Sequence, residues 1–260
     1  MKLKKIFTAI GMAAALCSYA AAADATDIMR QVYDRKKPNF TKAALQMTLT
    51  DKNGTKETRN VGEYGRCRDN LMDMVMIFFS PAAVKDTRFL QKENKNADDD
   101  KWIYLPALRS TRRVASSEGD KSFVGTDFTY DDMSTREVEE DTHELLKESE
   151  TKNGFDCYVV KSVPLDKNNQ YLYRISWVDK KTMIPVYIEM YDKKEKLQKI
   201  NTIKSIEERT GDKTYNIPME MQMDNVQTGH STTLKILNIE VDKPLVEGYF
   251  SPNFLNTGRL

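Results

Sequence analysis

From residue 40 to residue 241 the chain runs in short apolar–polar alternations separated by turn signals, and this pattern limits the fold more than any other feature. A period of two places alternate side chains on opposite faces of a strand. Leu45, Met47 and Leu49 alternate with Gln46 and Thr48, and 71–79 is apolar on both faces. Asn53-Gly54, Asp69-Asn70 and Asn153-Gly154 are hairpin turns, and Asp192-Lys193 and Thr228-Gly229 read as further turns. More strands are read at 55–68, 84–92, 102–106, 155–163, 171–178, 183–191, 197–207, 216–224 and 231–241. One helix, 24–37, precedes them, with Thr26 or Asp27 as its cap and Pro38 as its stop. The segment 136–148 fits a helix or a strand. The expectation is a mainly β (α+β) fold: a helix, four or five strands, a helical or irregular insertion, then six or seven strands. Regular hairpin spacing predicts one antiparallel sheet, and so many strands predict strong curvature.

Residues 1–23 read as a signal peptide. Lys2, Lys4 and Lys5 precede an apolar run at 6–16, and Ala21-Ala22-Ala23 fits a cleavage site. Bulky Leu16 before Cys17 argues against lipid attachment there. Residues 24–260 are then one exported domain. Removing the three leader lysines leaves 37 basic against 39 acidic residues, which argues against a nucleic-acid partner. Cys67 and Cys157 remain. In an oxidising compartment they either pair across neighbouring strands or stay as two thiols.

Catalytic and metal-binding signatures are absent from the sequence. His143 and His230 stand alone without a zinc-ligand motif, and no phosphate loop, dinucleotide fingerprint or nucleophile elbow occurs. The expectation is a protein without a cofactor, a metal or an enzymatic role. Two Met-x-Met-x-Met runs carry more information: Met72, Met74, Met76 and Met219, Met221, Met223. Each trio shares one face of its strand. Ordinary core packing explains one such run; two also suit a wall for a flexible acyl chain, because unbranched thioethers adapt to varied apolar partners. Leu45, Met47, Trp102 and Tyr104 are further candidates for that wall.

Between the two halves lies 102–133. An aromatic strand stops at Pro106, and Arg109, Arg112 and Arg113 follow. A segment hinged at Gly125 carries Phe123, Phe128, Tyr130 and Met133. The arginines either pair with nearby Glu118, Asp127, Asp131 and Asp132 or form a docking patch for an acidic partner or an anionic headgroup.

Trp102-x-Tyr-x-Pro-x-x-Arg-x-x-Arg-Arg, with Ser122-Phe-x-Gly-x-Asp-Phe-x-Tyr-x-Asp-Met, resembles the LolA-like group of outer-membrane lipoprotein-sorting proteins. Asp156-Cys-Tyr-Val, Trp177-x-Asp ahead of Pro185, Tyr191-Asp and Pro218-Met-x-Met extend the likeness over most of the mature chain. The resemblance implies an unclosed β-barrel whose mouth is covered by helices. It also implies a periplasmic carrier that holds acyl chains of lipoproteins or other lipids in an apolar cavity, and the chain is expected to act as a monomer. Phe123, Phe128, Tyr130 and Met133 would face inward from a lid made by 123–133 together with the helix 27–36. The implied partners are an inner-membrane transporter and an outer-membrane receptor. The alternative is a lipoprotein-sensing or envelope-protein interaction module of the same fold, accessory to an inner-membrane hydrophobe exporter. This chain is longer than the best-known carriers and its lid motif differs, so the resemblance does not carry over the identity of the cargo.

Overall fold

The structure is a computed structural model and describes residues 24–259. The leader assigned to 1–23 lies outside the described residues. Helix α1 (Ala25–Tyr33) is capped by Asp24, whose carboxylate accepts from the Thr26 amide at 2.8 Å, two or three residues earlier than the sequence suggested. Six strands follow: β1 (Phe40–Thr50), β2 (Lys56–Arg68), β3 (Leu71–Ser80), β4 (Arg88–Lys92), β5 (Asp100–Leu105) and β6 (Ser110–Val114). After the connection 115–140 come β7 (Asp141–Lys152), β8 (Phe155–Pro164), β9 (Tyr173–Asp179), β10 (Pro185–Tyr191), β11 (Leu197–Thr210), β12 (Thr214–Asn225) and β13 (His230–Val241). A short helix, α2 (Pro252–Thr257), closes the described chain.

All 13 strands form one antiparallel sheet in the order β6-β5-β4-β3-β2-β1-β13-β12-β11-β10-β9-β8-β7. Each half of the chain is a run of hairpins, and the pairing of β1 with β13 joins the halves at the centre. The tight turns follow from their residues. Asp69 and Asn70 both take positive φ, as do Asn153 and Gly154, the geometry of two-residue hairpin turns. Register shifts in β1, β2, β7, β10 and β11 mark bulges, which bend and twist a sheet.

The outermost strands, β6 and β7, do not pair, so the barrel is unclosed. They are consecutive in the chain yet stand at opposite edges. The connection 115–140 must therefore travel across a whole face of the sheet. That face, called inner below, carries Leu45 and Met47 of β1, Val61 of β2, Met76 and Phe78 of β3, Phe89 of β4 and Met223 of β12 in one apolar cluster. Helix α1 lies on the same face at the other end, where Ile28 and Val32 cluster with Val160 of β8 and Val178 of β9. On the outer face, Phe250, Phe254 and Leu255 of the C-terminal segment cover Val75 and Leu90.

The structure corrects one reading of the sequence and decides two that it left open. Residues 110–114 form the edge strand β6 rather than part of a helical or irregular insertion, and the undecided stretch 136–148 becomes mainly β7. Cys67 and Cys157 are both free; they lie on β2 and β8, far apart in the strand order, which rules out a bridge. Burial, and then the nearby Asp179 charge, push the Cys157 thiol up to about 11, so it stays protonated at neutral pH.

Candidate functional site: a latched aromatic cover on the inner face

The cover is a small hairpin within the 115–140 crossing. Ser122 and Thr129 form an antiparallel bridge, and the Phe123 amide donates to the Phe128 carbonyl at 2.8 Å. The tip turns through Val124 and Gly125, both at positive φ, 49° and 76°. Glycine takes this conformation freely, whereas a β-branched valine there is strained, by about 1–3 kcal/mol. The turn aims Phe123, Phe128 and Tyr130 at the sheet. Phe123 is wholly buried, with its ring 4.9 Å from Phe89 and 5.8 Å from Tyr130, both edge-on, and 6.2 Å from Phe78. Met133 packs against the same cluster.

Polar bonds hold the cover at its rim. Arg59 of β2 donates to the Val124 carbonyl at 2.5 Å, which fixes the strained tip. The Asp127 carboxylate accepts from Thr232 Oγ1 and lies 2.7 Å from His230 Nδ1, both on β13. At the base, half-buried Asp132 pairs with buried Lys199 of β11 at 3.1 Å and accepts from the Tyr171 hydroxyl at 3.0 Å. Burial, reinforced by the Asp132 charge, pushes the Tyr171 hydroxyl well above its ordinary value, so it remains a donor. The closure is thus apolar in the middle and polar around the edge.

The predicted wall residues divide between the two faces. Leu45, Met47, Met76 and Met223 are buried in the cluster beneath the cover, and Met74 and Met221 pack against it while partly exposed. Met72, opposite Cys67, and Met219, at a bulge in the β11–β12 register, fall outside that cluster. Trp102 and Tyr104 are misplaced by the sequence reading. They stand on the outer face with Phe250 and Phe254, while Ile103 between them points inward. Directly beneath 123–133, where the sequence suggested an open apolar cavity, the cover's own rings pack against the sheet. Beside the cover, Leu234, Ile236 and Ile239 of β13 leave a partly exposed apolar strip. Helix α1 does not extend the cover; it packs on β7–β9 instead.

A family model described as an uncharacterized protein matches residues 71–257. An outer membrane lipoprotein-sorting protein domain from Vibrio parahaemolyticus is 31% identical, with a TM-score of 0.83, over 89% of this chain and 98% of that one. The chain belongs to this lipoprotein-sorting family. A DUF1329 family protein from Desulfovibrio piger is 26% identical, with a TM-score of 0.82, over 89% of this chain and 97% of its own. A LolA superfamily protein from Nitrosomonas europaea shares the fold at 15% identity and a TM-score of 0.68, over 90% of this chain and 100% of its own. No curated protein matches the chain.

In this lipoprotein-sorting domain the arginine cluster sits on or beside the edge strand β6. Arg109, Arg112 and Arg113 are all exposed. Arg112 pairs with Glu118 at 2.7 Å and Arg113 pairs with Asp100. The cover's aspartates do not hold them; Asp127, Asp131 and Asp132 pair with His230, Lys101 and Lys199 instead. A polar cleft of about 530 Å³ opens nearby, between the end of α1, the β4–β5 tip and the base of the cover, with Tyr33, Glu93, Asp99, Asp131 and Arg136 among its lining. Sequence reasoning missed Phe78 and Phe89 as the seat for Phe123. It also missed Arg59, His230 and Lys199 as latches, since they lie far from the cover in sequence and their pairing exists only in the fold.

Proposed function

We propose that this protein is a periplasmic carrier, exported with cleavage after residue 23 and acting as a single domain and a monomer. It shields an acyl chain of a lipoprotein or another lipid on the inner face of its sheet. The observation that carries this reading is the cover itself: a strained hairpin whose aromatic rings plug a face rich in methionine, clamped only by polar bonds at its rim. Polar rim bonds exchange readily with water when the plug lifts, and the plug's rings vacate apolar surface that suits a chain. Moving an acyl chain of ~16 carbons through water leaves roughly 12 kcal/mol to be shielded, at about 0.8 kcal/mol per CH₂. The plug and the β13 strip together offer a surface of that kind. Membership of the lipoprotein-sorting family supports the same assignment. A fluorescent sixteen-carbon fatty acid should bind the mature protein saturably at one-to-one stoichiometry; purely non-saturable uptake would contradict the carrier role.

The exposed arginines supply the docking patch in this account, toward an inner-membrane transporter or an outer-membrane receptor. Replacing Arg109, Arg112 and Arg113 with glutamate should slow transfer of bound lipid to acceptor vesicles containing anionic lipid. Stability should change by only about 1 kcal/mol, because exposed ion pairs contribute little. Unchanged transfer would remove the docking role. The filled inner face favours a second reading, in which the fold senses lipoproteins or binds an envelope protein without carrying lipid. The fatty-acid titration separates the two.

A further inference from the structure

A carboxyl side chain stands among the apolar residues of the inner face. Glu63 of β2 lies opposite Ala43 of β1 and Met76 of β3, both in the apolar cluster beneath the cover. Ala43 in turn faces Ile239 of β13. Among the described residues, no hydrogen bond or ion pair reaches the Glu63 carboxyl, and burial is the one influence acting on it. Its side chain is half-buried, so part of it stays open on the inner side of the sheet. Its position borders the partly exposed strip of Met74, Leu234, Ile236 and Ile239.

A carboxyl held this way is costly unless it is neutralised or paired. Burial alone lifts it to about 7, so both of its forms are within reach at neutral pH. The facing groups from β1, β3 and β13 are Ala43, Met76 and Ile239, so none of these positions supplies a charge to oppose an incoming cation. Nothing else on the apolar strip could tell one amphiphile from another, since hydrophobic contact is non-directional. A single carboxyl set in such a wall gives direction and chemical preference.

We infer that Glu63 is a recognition group within the lipid site, and that the preferred cargo is an amphiphile bearing an amine, whose ammonium docks on the Glu63 carboxylate while its chain lies along the β13 strip. The inference rests on the carrier reading above and adds the cargo's headgroup chemistry. It also makes a neutral ester or alcohol the poorer ligand, because such a group leaves the half-buried carboxylate unpaired.

The test is displacement of the fluorescent sixteen-carbon fatty acid from the mature protein by octadecylamine and by methyl octadecanoate. At pH 8 octadecylamine should displace the reporter about tenfold better than the ester, the weight of one charge-assisted hydrogen bond. Glu63→Gln should reduce that preference to about twofold or less, leaving displacement by the ester within about twofold of wild type. In wild type the preference should shrink between pH 8 and pH 6 as the carboxyl takes up its proton, and it should be flat in the variant. Equal displacement by both compounds, or a preference that survives Glu63→Gln with a normal melting profile, would overturn the inference while leaving the carrier reading in place. Failure of the reporter to bind wild type at all would overturn both.

Discussion

Truncating Phe123 to alanine should lower stability by about 3–5 kcal/mol, the usual cost of removing a buried aromatic ring. The same change should increase binding of a fatty acid to the folded protein. Phe123 is wholly buried between Phe78, Phe89 and Tyr130, so its loss opens a void lined by rings and methionines directly under the cover. An acyl chain that enters this void replaces lost contacts. Saturating fatty acid at about one hundred times its Kd should therefore restore about 2.7 kcal/mol. The Phe123→Leu variant fills more of the void and should show the same trend at smaller amplitude, which keeps the test usable if the alanine variant unfolds. Thermal melts with and without fatty acid read both effects. A loss of stability that lipid does not recover in either variant would make the cover a fixed part of the core rather than an exchangeable plug.

The second large effect belongs to the outer face. Asp73 of β3 is fully buried and accepts from Arg66 and, at 2.8 Å, from Arg68. Arg66 also pairs with Glu247 and lies 4.5 Å over the Phe250 ring, which ties the C-terminal segment to the sheet. Asp73→Ala should destabilise by about 3–5 kcal/mol, since it leaves a largely buried guanidinium with only an exposed partner. Burial by itself would raise the Asp73 carboxyl, but hydrogen bonds from Arg68 and Arg66 outweigh it and hold the group below the ordinary carboxylate value. The unfolded chain then takes up this proton first. The stabilisation is complete at pH values above about 4 and is lost as pH falls below that, through the lowered folded-state value. Urea midpoints at pH 7 and at pH 3 check this: the gap between wild type and Asp73→Ala should be wide at pH 7 and narrow at pH 3. A gap of equal size at both values would mean that packing, rather than the ion pair, carries the effect.

Much of the sheet was legible because its turns are written in residues that favour positive φ, such as Asp69-Asn70 and Asn153-Gly154. The edge strand β6 was not, because Ser110–Val114 is polar and mostly exposed, as befits an edge. Period two tells which residues of one strand share a face; it does not tell which face of the sheet that is. Hence Met74 and Met76 were correctly grouped together, while Trp102 and Tyr104 were grouped with them and proved to lie on the opposite side. That choice is fixed by register, with Phe89 facing both Met76 and Ile103. The cover's aromatic residues stood out in the sequence, and so did the glycine at its tip. Its seat and latches did not, since Arg59, Lys199 and His230 reach it only after the two hairpin ladders meet at β1 and β13. Glu63 was hidden for the same reason: in a strand as polar as 56–68, only the partners Ala43 and Met76 mark it as inward-facing.

The most direct test of the central claim is photo-crosslinking with a sixteen-carbon fatty acid that carries a diazirine near the end of its chain, followed by peptide mapping. The account predicts adducts on the inner face, on Met74, Met76, Met221 or Leu234 and on Phe123 of the cover, competed away by unlabelled fatty acid. Adducts confined to the outer face around Trp102 and Phe254, or no competable adducts anywhere, would contradict it.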